Sequence, residues 1–220
     1  MLSKDTRKKL FVTTAARQRL DTPDSFYEPV NNPKLLYEYP NAYPILSAVN
    51  GYVDEGDQVE LLVIRMDPAD TEGKETAFRN FQTVCTLVKE LCQKKKAEFS
   101  FRELIVPDDE SISTHFSMFE RLIEVVAAEK CRIYMDLTYG TKPQMIPLFM
   151  TMNFVYQSKS GSDAEMMIYG NYNFQTKQKK IYDVTPLCIM DQIVNKLGAR
   201  NIPADQTIEV IKSLISTDAE

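Results

Sequence analysis

The residues best suited to chemistry lie in one short stretch, 136–142, with the sequence DLTYGTK. An apolar, β-branched run precedes it and predicts a buried strand, and Pro143 stands where a helix would begin. Proline is tolerated at the first helical position because the N–H it lacks would be unpaired there. Free backbone N–H groups and the positive end of the helix dipole would therefore face the loop. The pattern predicts an anion-binding loop, with a mobile cation at Lys142 and hydroxyl groups at Thr138 and Thr141.

A second group of polar residues follows the first predicted strand, 9–14, which ends in two threonines. In an open parallel sheet, ligands bind in the crevice beyond the carboxyl ends of the strands. Thr13, Thr14 and Arg17 are therefore candidate ligand contacts, as is Asp136 at the end of its own strand. An ordinary polar loop with a solvated arginine is the alternative for the residues after the first strand.

Strand-like and helix-like segments alternate along most of the chain, which indicates an α/β fold. Strands are predicted at 9–14, 58–66, 97–106 and 131–136, and helices near 44–53, 75–95, 113–129 and 143–157. The alternation then stops, because 165–174 and 180–184 have the spacing of a β-hairpin. The sequence predicts a Rossmann-like, mainly parallel sheet of about six strands with a C-terminal hairpin at its edge.

Two helical stretches, 187–197 and 204–215, close the chain. We therefore predict a Rossmann-like domain over 1–186 and a C-terminal helical appendage or linker over 187–220. Residues 21–44 form a long connection rich in proline and tyrosine, a kind of segment that is often functional. Its tyrosines, which are Tyr27, Tyr37, Tyr39 and Tyr43, would either stack on a base or attach the connection to the domain.

Composition excludes several classes of function. The formal net charge of −5 argues against binding duplex nucleic acid. No apolar run approaches the roughly 18 residues of a membrane helix, and four cysteines without a CxxC pair fit a reduced cytoplasmic compartment. His115 is the only histidine, so the usual zinc and Ser-His-Asp sites are not expected. No glycine-rich dinucleotide or phosphate-binding loop follows a strand, so we predict no metal and no cofactor.

The motif at 136–142, placed after the fourth strand and before a helix and a hairpin, resembles that of the CARF (CRISPR-associated Rossmann fold) domain. Two further features support the resemblance: the hydroxyl-bearing turn at 13–17 and the sequence KIYDVTP at 180–186. It covers roughly residues 9–186. The connection at 21–44 departs from the minimal pattern of the family.

The resemblance implies a homodimer that binds cyclic oligoadenylate across its twofold axis in type III CRISPR antiviral defence. Phosphates would meet Lys142 and the N–H groups near Gly140, and the threonine hydroxyls would bind phosphate or ribose oxygens. Asp136 would accept a hydrogen bond from a ribose hydroxyl or an adenine amine, or would only tighten the loop. The implied ligand contacts are Thr13, Thr14, Arg17, Asp136, Thr138, Tyr139, Gly140, Thr141 and Lys142.

Two activities are compatible with that site. The domain is either a sensor that couples binding to an effector on its C-terminal helices, or a metal-independent ring nuclease that cleaves the same ligand. In the ring nuclease, Lys142 would stabilise charge on the phosphorus centre and Thr13 or Thr14 would orient the phosphate. Tetra- and hexa-adenylate rings are equally compatible with the sequence.

Overall fold

The computed structural model describes residues 5–20, 24–158, 161–173, 175–200 and 202–216. The chain divides into two compact units after Asp183. The first unit is an α/β domain and the second consists of two helices. Residues 21–23 of the long connection and Phe174, the predicted end of a strand, lie outside the described part of the chain.

The first unit contains seven strands and four α-helices among its described residues. In chain order the strands are β1 (Lys8–Thr14), β2 (Glu28–Pro29), β3 (Gln58–Asp67), β4 (Glu98–Pro107), β5 (Cys131–Asp136), β6 (Asp163–Tyr172) and β7 (Lys179–Asp183). The helices are α1 (Ile45–Tyr52), α2 (Thr71–Lys94), α3 (Ile112–Ala128) and α4 (Lys142–Gln157). The second unit contains α5 (Thr185–Ala199) and α6 (Ala204–Ser216), which contact each other.

The strands form one sheet in the order β4-β3-β1-β5-β6-β7-β2. β1 pairs in parallel with β3 on one side and with β5 on the other, so the order of the sheet reverses at β1. Ligands of open α/β sheets bind at such a reversal, beyond the carboxyl ends of the two central strands. The crevice expected from this topology therefore lies between Thr14, which ends β1, and Asp136, which ends β5.

Alternate side chains of the central strands pack into two different layers, as the pleat of a strand requires. Phe11 and Tyr134 stack with ring centroids 4.6 Å apart, within a core that also contains buried residues of α1 and α2. Their neighbours Leu10 and Ile133 are also buried but lie outside that core. α3 and α4 contact each other and supply a further set of buried apolar side chains: Met118, Leu122, Val126, Leu148, Met152 and Val155.

The predicted α/β fold with a mainly parallel sheet is confirmed, with two differences in detail. The sheet has seven strands because Glu28 and Pro29 pair with β7 and cover its outer edge. A proline is compatible with this position because an edge strand does not need every N–H for pairing. α2 begins four residues earlier than predicted, because the carboxylate of Asp70 accepts a hydrogen bond from the Gly73 N–H at 2.6 Å and caps the helix.

The long connection between β1 and α1 is attached to the domain along its described part. Tyr27, Leu35 and Tyr43 are buried in the core, whereas Tyr39 is exposed. Tyr27 and Tyr43 therefore attach the connection to the domain, which is the second of the two alternatives for its tyrosines. Within the described ranges, no helix combines the length and apolarity needed to cross a bilayer.

We expect Gly51→Ala to destabilise the protein, although alanine is the better helix former. A Cβ at Gly51 would lie 2.1 Å from the backbone carbonyl oxygen of Lys34, so α1 and the connection would have to move apart. Overpacking of this kind costs about 1–3 kcal/mol, which a urea titration of the unfolding free energy measures. The control is Gly198→Ala in α5, where a Cβ meets no atom within 4 Å and should stabilise the helix slightly. Equal effects of the two substitutions would show that the connection does not pack tightly on α1.

Candidate functional site

A buried carboxylate joins the two central strands at their carboxyl ends. The Asp136 side chain is 1 % exposed, and its Oδ2 accepts a hydrogen bond from the Thr13 hydroxyl at 3.0 Å. Its Oδ1 accepts the Thr138 N–H at 2.9 Å and the Thr138 hydroxyl at 2.5 Å. Burial raises the pKa of Asp136, while these hydrogen bonds act in the opposite direction. The geometry corresponds to the loop-tightening role, since both carboxylate oxygens are bound by protein donors.

Thr138 extends this network to the next strand. Its Oγ1 accepts a hydrogen bond from the Gly170 N–H of β6 at 2.8 Å. Gly170 leaves no space for a side chain, because a Cβ there would lie 2.4 Å from Cγ of Pro44. The ends of β1, β5 and β6 are thus held together through Thr13, Asp136 and Thr138.

The loop turns into α4 at Gly140 and Thr141. Gly140 has φ +114°, a conformation that side chains other than glycine rarely adopt. The Thr141 N–H donates to Oε1 of the buried Gln144 at 3.0 Å, which satisfies one of the free amides at the start of the helix. The Thr141 hydroxyl donates to Glu110 at 3.2 Å, so a carboxylate already lies at the helix N-terminus.

The site cavity, as we name it, opens beside this loop at the sheet edge and has a volume of about 580 Å³. That volume lies within the roughly 300–1,000 Å³ of small-molecule sites. One wall is the loop itself, through Thr138, Tyr139 and Gly140. Its other described lining residues are Arg17, Gln18, Arg19, Leu20, Asp24, Tyr27, Ala42, Tyr169, Gly170, Asn171, Tyr172, Lys177 and Lys179.

A second part of the wall exists because β6 is longer than β5. Asp136 pairs with Ile168, so residues 169–172 of β6 continue past the end of β5. There they pair only with β7, in an antiparallel register that places Tyr172 opposite Lys179. The projecting hairpin therefore carries tyrosine and lysine side chains alongside the 137–141 loop.

The cavity combines aromatic rings with basic side chains. Lys179 is half-buried, and its Nζ lies 5.8 Å from the ring centroid of Tyr27 and 6.0 Å from that of Tyr172. The same Nζ donates to the carbonyl oxygens of Ser25 and Asn41, at 3.1 and 3.2 Å. Burial lowers the pKa of Lys179, because it disfavours the charged form. An anion that reached this amine would compensate that loss of solvation.

The tyrosines that line the inner part of the cavity are neutral at physiological pH. Burial raises the pKa of Tyr27 to about 12 and raises that of Tyr139 further. The Tyr139 hydroxyl donates to the carbonyl oxygen of Ala42, which fixes the ring against the connection. These rings present apolar faces and no negative charge to a ligand.

The structure separates the predicted site residues into three groups. Arg17, Thr138, Tyr139 and Gly140 line the site cavity, and Arg17 also forms an ion pair with Asp108 at 2.7 Å. Thr13, Thr14 and Asp136 are buried and do not line it; the Thr14 hydroxyl has no hydrogen-bond partner among the described residues. Thr141 and Lys142 lie at the start of α4, also outside the lining, with Lys142 exposed.

Several lining residues were not predicted: Arg19, Tyr169, Tyr172, Lys177 and Lys179. The sequence predicts the hairpin, but it does not predict how far β6 extends beyond the end of β5. The hairpin residues reach the cavity only because of this extension. One sequence feature could have indicated these basic residues, because Lys177 and Lys179 alternate around the turn of the hairpin.

Among the described residues, no three His, Cys, Asp or Glu side chains lie close enough together to hold a metal ion. All four cysteines are free and buried, and burial raises the pKa of the Cys85 thiol to about 12 and that of Cys92 to about 11. Thiols of this kind are poor nucleophiles. The site cavity is lined by aromatic rings, amides, hydroxyls, cations and the carboxylate of Asp24.

No family model matches the chain, and no curated protein has a significantly similar sequence. The function is accordingly inferred from the residues of the site.

We expect Thr138→Val to destabilise the domain, because valine has a similar shape but no hydroxyl. The change leaves the buried Gly170 N–H without its acceptor and removes one donor from Asp136, at a cost of about 1–3 kcal/mol. Chemical denaturation of the two proteins measures the difference. Thr138→Ser retains the hydroxyl and should lose much less. A valine variant as stable as the serine variant would contradict the proposed role of this hydroxyl in joining the strands.

Proposed function

We propose that this chain binds a cyclic oligoadenylate in the site cavity, as a cytoplasmic CARF-like sensor of type III CRISPR antiviral defence. The observation that carries the proposal is the cavity itself, which places tyrosine rings and four basic side chains at the reversal point of a parallel sheet. A nucleotide needs both kinds of contact, since bases stack on aromatic rings and phosphates pair with cations. The resemblance of residues 136–142 to the CARF motif supplies the choice of nucleotide.

Within the proposed complex, an adenine ring would stack against the exposed ring of Tyr169 or the half-buried ring of Tyr172 on the projecting hairpin. Stacking on a protein ring contributes about 1–3 kcal/mol per base. The phosphates would approach Lys179 and Lys177, and Gly140 would allow the backbone to come close to the ligand. The Thr138 hydroxyl is already bound to Asp136, so its contribution is to hold the loop in place.

A homodimer is the second part of the proposal. α3 and α4 expose a row of apolar side chains around a groove of about 190 Å³ that is lined by Ile112, His115, Phe116, Phe119, Pro143, Ile146, Pro147 and Met150. Ile112, Phe116 and Ile146 are 74 %, 65 % and 60 % exposed in the single chain, which is costly for residues of this size. Pairing this face with the same face of a second copy would bury them.

Such a pairing would also explain the position of Lys142. Pro143 and Ile146 belong to the first turns of α4, directly after the loop that lines the site cavity. A twofold axis near this face would bring the two loops and the two Lys142 side chains together. Lys142, which lies outside the cavity of its own chain, would then face a ligand shared by both copies.

The C-terminal helices would pass the binding event to an effector. α5 and α6 expose apolar side chains, including Leu187, Ile189 and Met190 on α5 and Ile208 on α6. Exposed apolar residues on a helix are the usual contacts for a partner helix or domain. In this proposal, a change in the dimer on ligand binding would alter the surface available to that partner.

We expect the protein to bind cyclic tetra-adenylate or cyclic hexa-adenylate, and Lys179→Met to weaken that binding roughly 10- to 150-fold. This range corresponds to the loss of a charge-assisted phosphate contact of about 1.5–3 kcal/mol. Isothermal titration calorimetry with each ring measures the affinities. The control is Lys130→Met, since Lys130 is an exposed lysine that precedes β5 at the opposite edge of the sheet.

The same samples distinguish a sensor from a ring nuclease. Intact ring recovered from the complex by chromatography identifies a sensor, and linear product formed in the presence of a chelator identifies a metal-independent ring nuclease. If neither ring binds to the wild-type protein, the proposed function is wrong.

We expect the protein to be a dimer in solution and Ile146→Glu to convert it to a monomer. The substitution places a charge in the middle of the apolar α3–α4 face, where a dimer would have to desolvate it. Size-exclusion chromatography with light scattering gives the mass. Val30→Glu, at a residue that is 52 % exposed beside the edge strand β2, serves as the control and should remain dimeric. A dimer that survives Ile146→Glu would place the interface elsewhere.

A further inference from the structure

The strand β4 forms one edge of the sheet and pairs only with β3 among the described strands. The strand at the other edge, β2, has two residues and contains Pro29, so it offers little backbone for further pairing. β4 has ten residues, and its only proline is the last of them. An edge strand of this length presents unpaired N–H and C=O groups, which favour pairing with another strand. β4 is therefore the edge that is open to extension.

The free backbone groups of β4 lie in the first half of the strand. The Glu98 N–H donates to the carbonyl oxygen of the residue before β3, at 2.9 Å, so residue 98 faces the β3 side. Backbone groups alternate in direction along a strand, so those of Phe99 and Phe101 point away from β3. Further along, Arg121 of α3 donates to the Ile105 carbonyl oxygen at 2.6 Å and covers it. The open part of the edge therefore precedes Ile105.

An aromatic cluster lies along the same part of the edge. The ring centroid of Phe101 is 6.4 Å from that of Phe99 on β4 and 5.9 Å from that of Phe81 on α2. Phe78 extends the cluster, with its ring centroid 6.0 Å from that of Phe81. Phe101 and Phe78 are 57 % and 45 % exposed. Exposed apolar side chains that lie together in this way mark interaction surfaces.

The first five residues of β4, EFSFR, are self-complementary. When two copies pair in antiparallel orientation about Ser100, Phe99 of each copy lies opposite Phe101 of the other. In the same register, Glu98 of each copy lies opposite Arg102 of the other. Aromatic pairs and opposite charges that face each other across an antiparallel pair are stabilising. A twofold axis at Ser100, perpendicular to the sheet, repeats each of these contacts.

Both charged residues retain the capacity for a further contact. Nε of Arg102 donates to Glu60 at 2.8 Å, yet the arginine side chain is 44 % exposed. A guanidinium group has five N–H donors, so it binds a second carboxylate without losing the first. Glu98 is exposed, and its carboxylate accepts a hydrogen bond from the Gln58 amide at 3.3 Å. A carboxylate has about four acceptor positions, which leaves several for an arginine of another copy.

We propose that β4 pairs with β4 of a second copy of this chain, antiparallel and centred on Ser100. Phe99 of one copy and Phe101 of the other exchange backbone hydrogen bonds, so the two sheets become continuous. The occupant is a second copy because β4 itself carries the complementary residues in the required order. The inference does not rest on the proposed function, since no ligand takes part.

This contact uses a different surface from the apolar α3–α4 face. It involves only five residues of each strand, which makes it weak compared with a standard protein interface. At the dilute concentrations of chromatography it dissociates, and at higher concentrations it links dimers formed through the α3–α4 face.

The first test places a cysteine on the proposed twofold axis. In Ser100→Cys, the two introduced thiols lie directly opposite each other, close enough for a disulfide. The native cysteines are all buried, which keeps other cross-links low. We expect diamide to convert Ser100→Cys to a covalent dimer on non-reducing electrophoresis. The matched control is Glu98→Cys, at an exposed residue that faces Arg102 instead of itself, and it should remain mostly uncross-linked.

Two further variants test the register in the Ser100→Cys background. Phe101→Lys places a charge within the aromatic pairs and should abolish the cross-link. Ile105→Lys changes a second exposed apolar residue of β4, which is 42 % exposed and lies beyond the paired residues, so it should retain the cross-link.

The second test exchanges the charges and measures the mass by sedimentation velocity, over a roughly hundredfold range of protein concentration. The mass of the wild-type protein should rise with concentration. Glu98→Arg and Arg102→Glu each place like charges opposite one another, so neither should associate through β4. An equimolar mixture of the two should associate again, because every charge then faces its opposite. In Arg102→Glu, Glu60 keeps its ion pair with Lys8 at 3.1 Å.

The outcomes decide between a second copy and other occupants of this edge. Equal cross-linking of Ser100→Cys and Glu98→Cys, loss of the cross-link in Ile105→Lys, or a mixture that does not associate would overturn the inference. A wild-type mass that stays constant, with no cross-link in Ser100→Cys, would also overturn it and would leave the edge to a strand of another protein.

Discussion

The candidate site depends on one buried carboxylate at the point where the strand order reverses. Asp136 cannot be solvated where it lies, so its oxygens must be satisfied by protein donors. The donors come from Thr13 on one neighbouring strand and from Thr138 in the loop that follows. Through the Thr138 hydroxyl the network continues to Gly170 of β6. One carboxyl group and two hydroxyls thus set the relative positions of three strands near the carboxyl edge of the sheet.

The walls of the site cavity follow from that arrangement. With the loop fixed, the projecting part of β6 and β7 lies beside it, and both line the cavity. The connection before α1 closes a third side, held through Tyr27 in the core and through the contact of Tyr139 with Ala42. The close approach of Gly170 to Pro44 belongs to the same packing. The connection is therefore an integral part of the site, through Asp24, Tyr27 and Ala42.

The charge around the site cavity is opposite in sign to the net charge of the whole chain. The protein carries a formal net charge of −5, yet four basic side chains and one acidic side chain, Asp24, line the site cavity. Lys179 lies between two aromatic rings with part of its solvation removed, so an anion gains more there than at a fully exposed lysine. Net charge excludes a broad nucleic-acid surface but does not exclude a confined polyanion site.

The fold class was determined by the sequence itself, and three residues of the loop it singled out line the site cavity. Buried parallel strands read as continuous apolar runs, and a short polar loop between such a strand and Pro143 defines a ligand loop without tertiary information. Thr13 and Asp136 were predicted at strand ends beside the ligand crevice, and the structure shows them hydrogen-bonded to each other.

Only the tertiary structure decided which side chains line the cavity. Thr13 and Thr14 point to ligand chemistry by type, but both are buried, because alternation along β1 and the packing at its end cover them. Tyr172 and Lys179 enter the site through the register of β6 with β5 and β7, which depends on residues far apart in the chain. Local sequence patterns specify strands and loops. The distances between the ends of different strands depend on how the strands pair in the folded sheet.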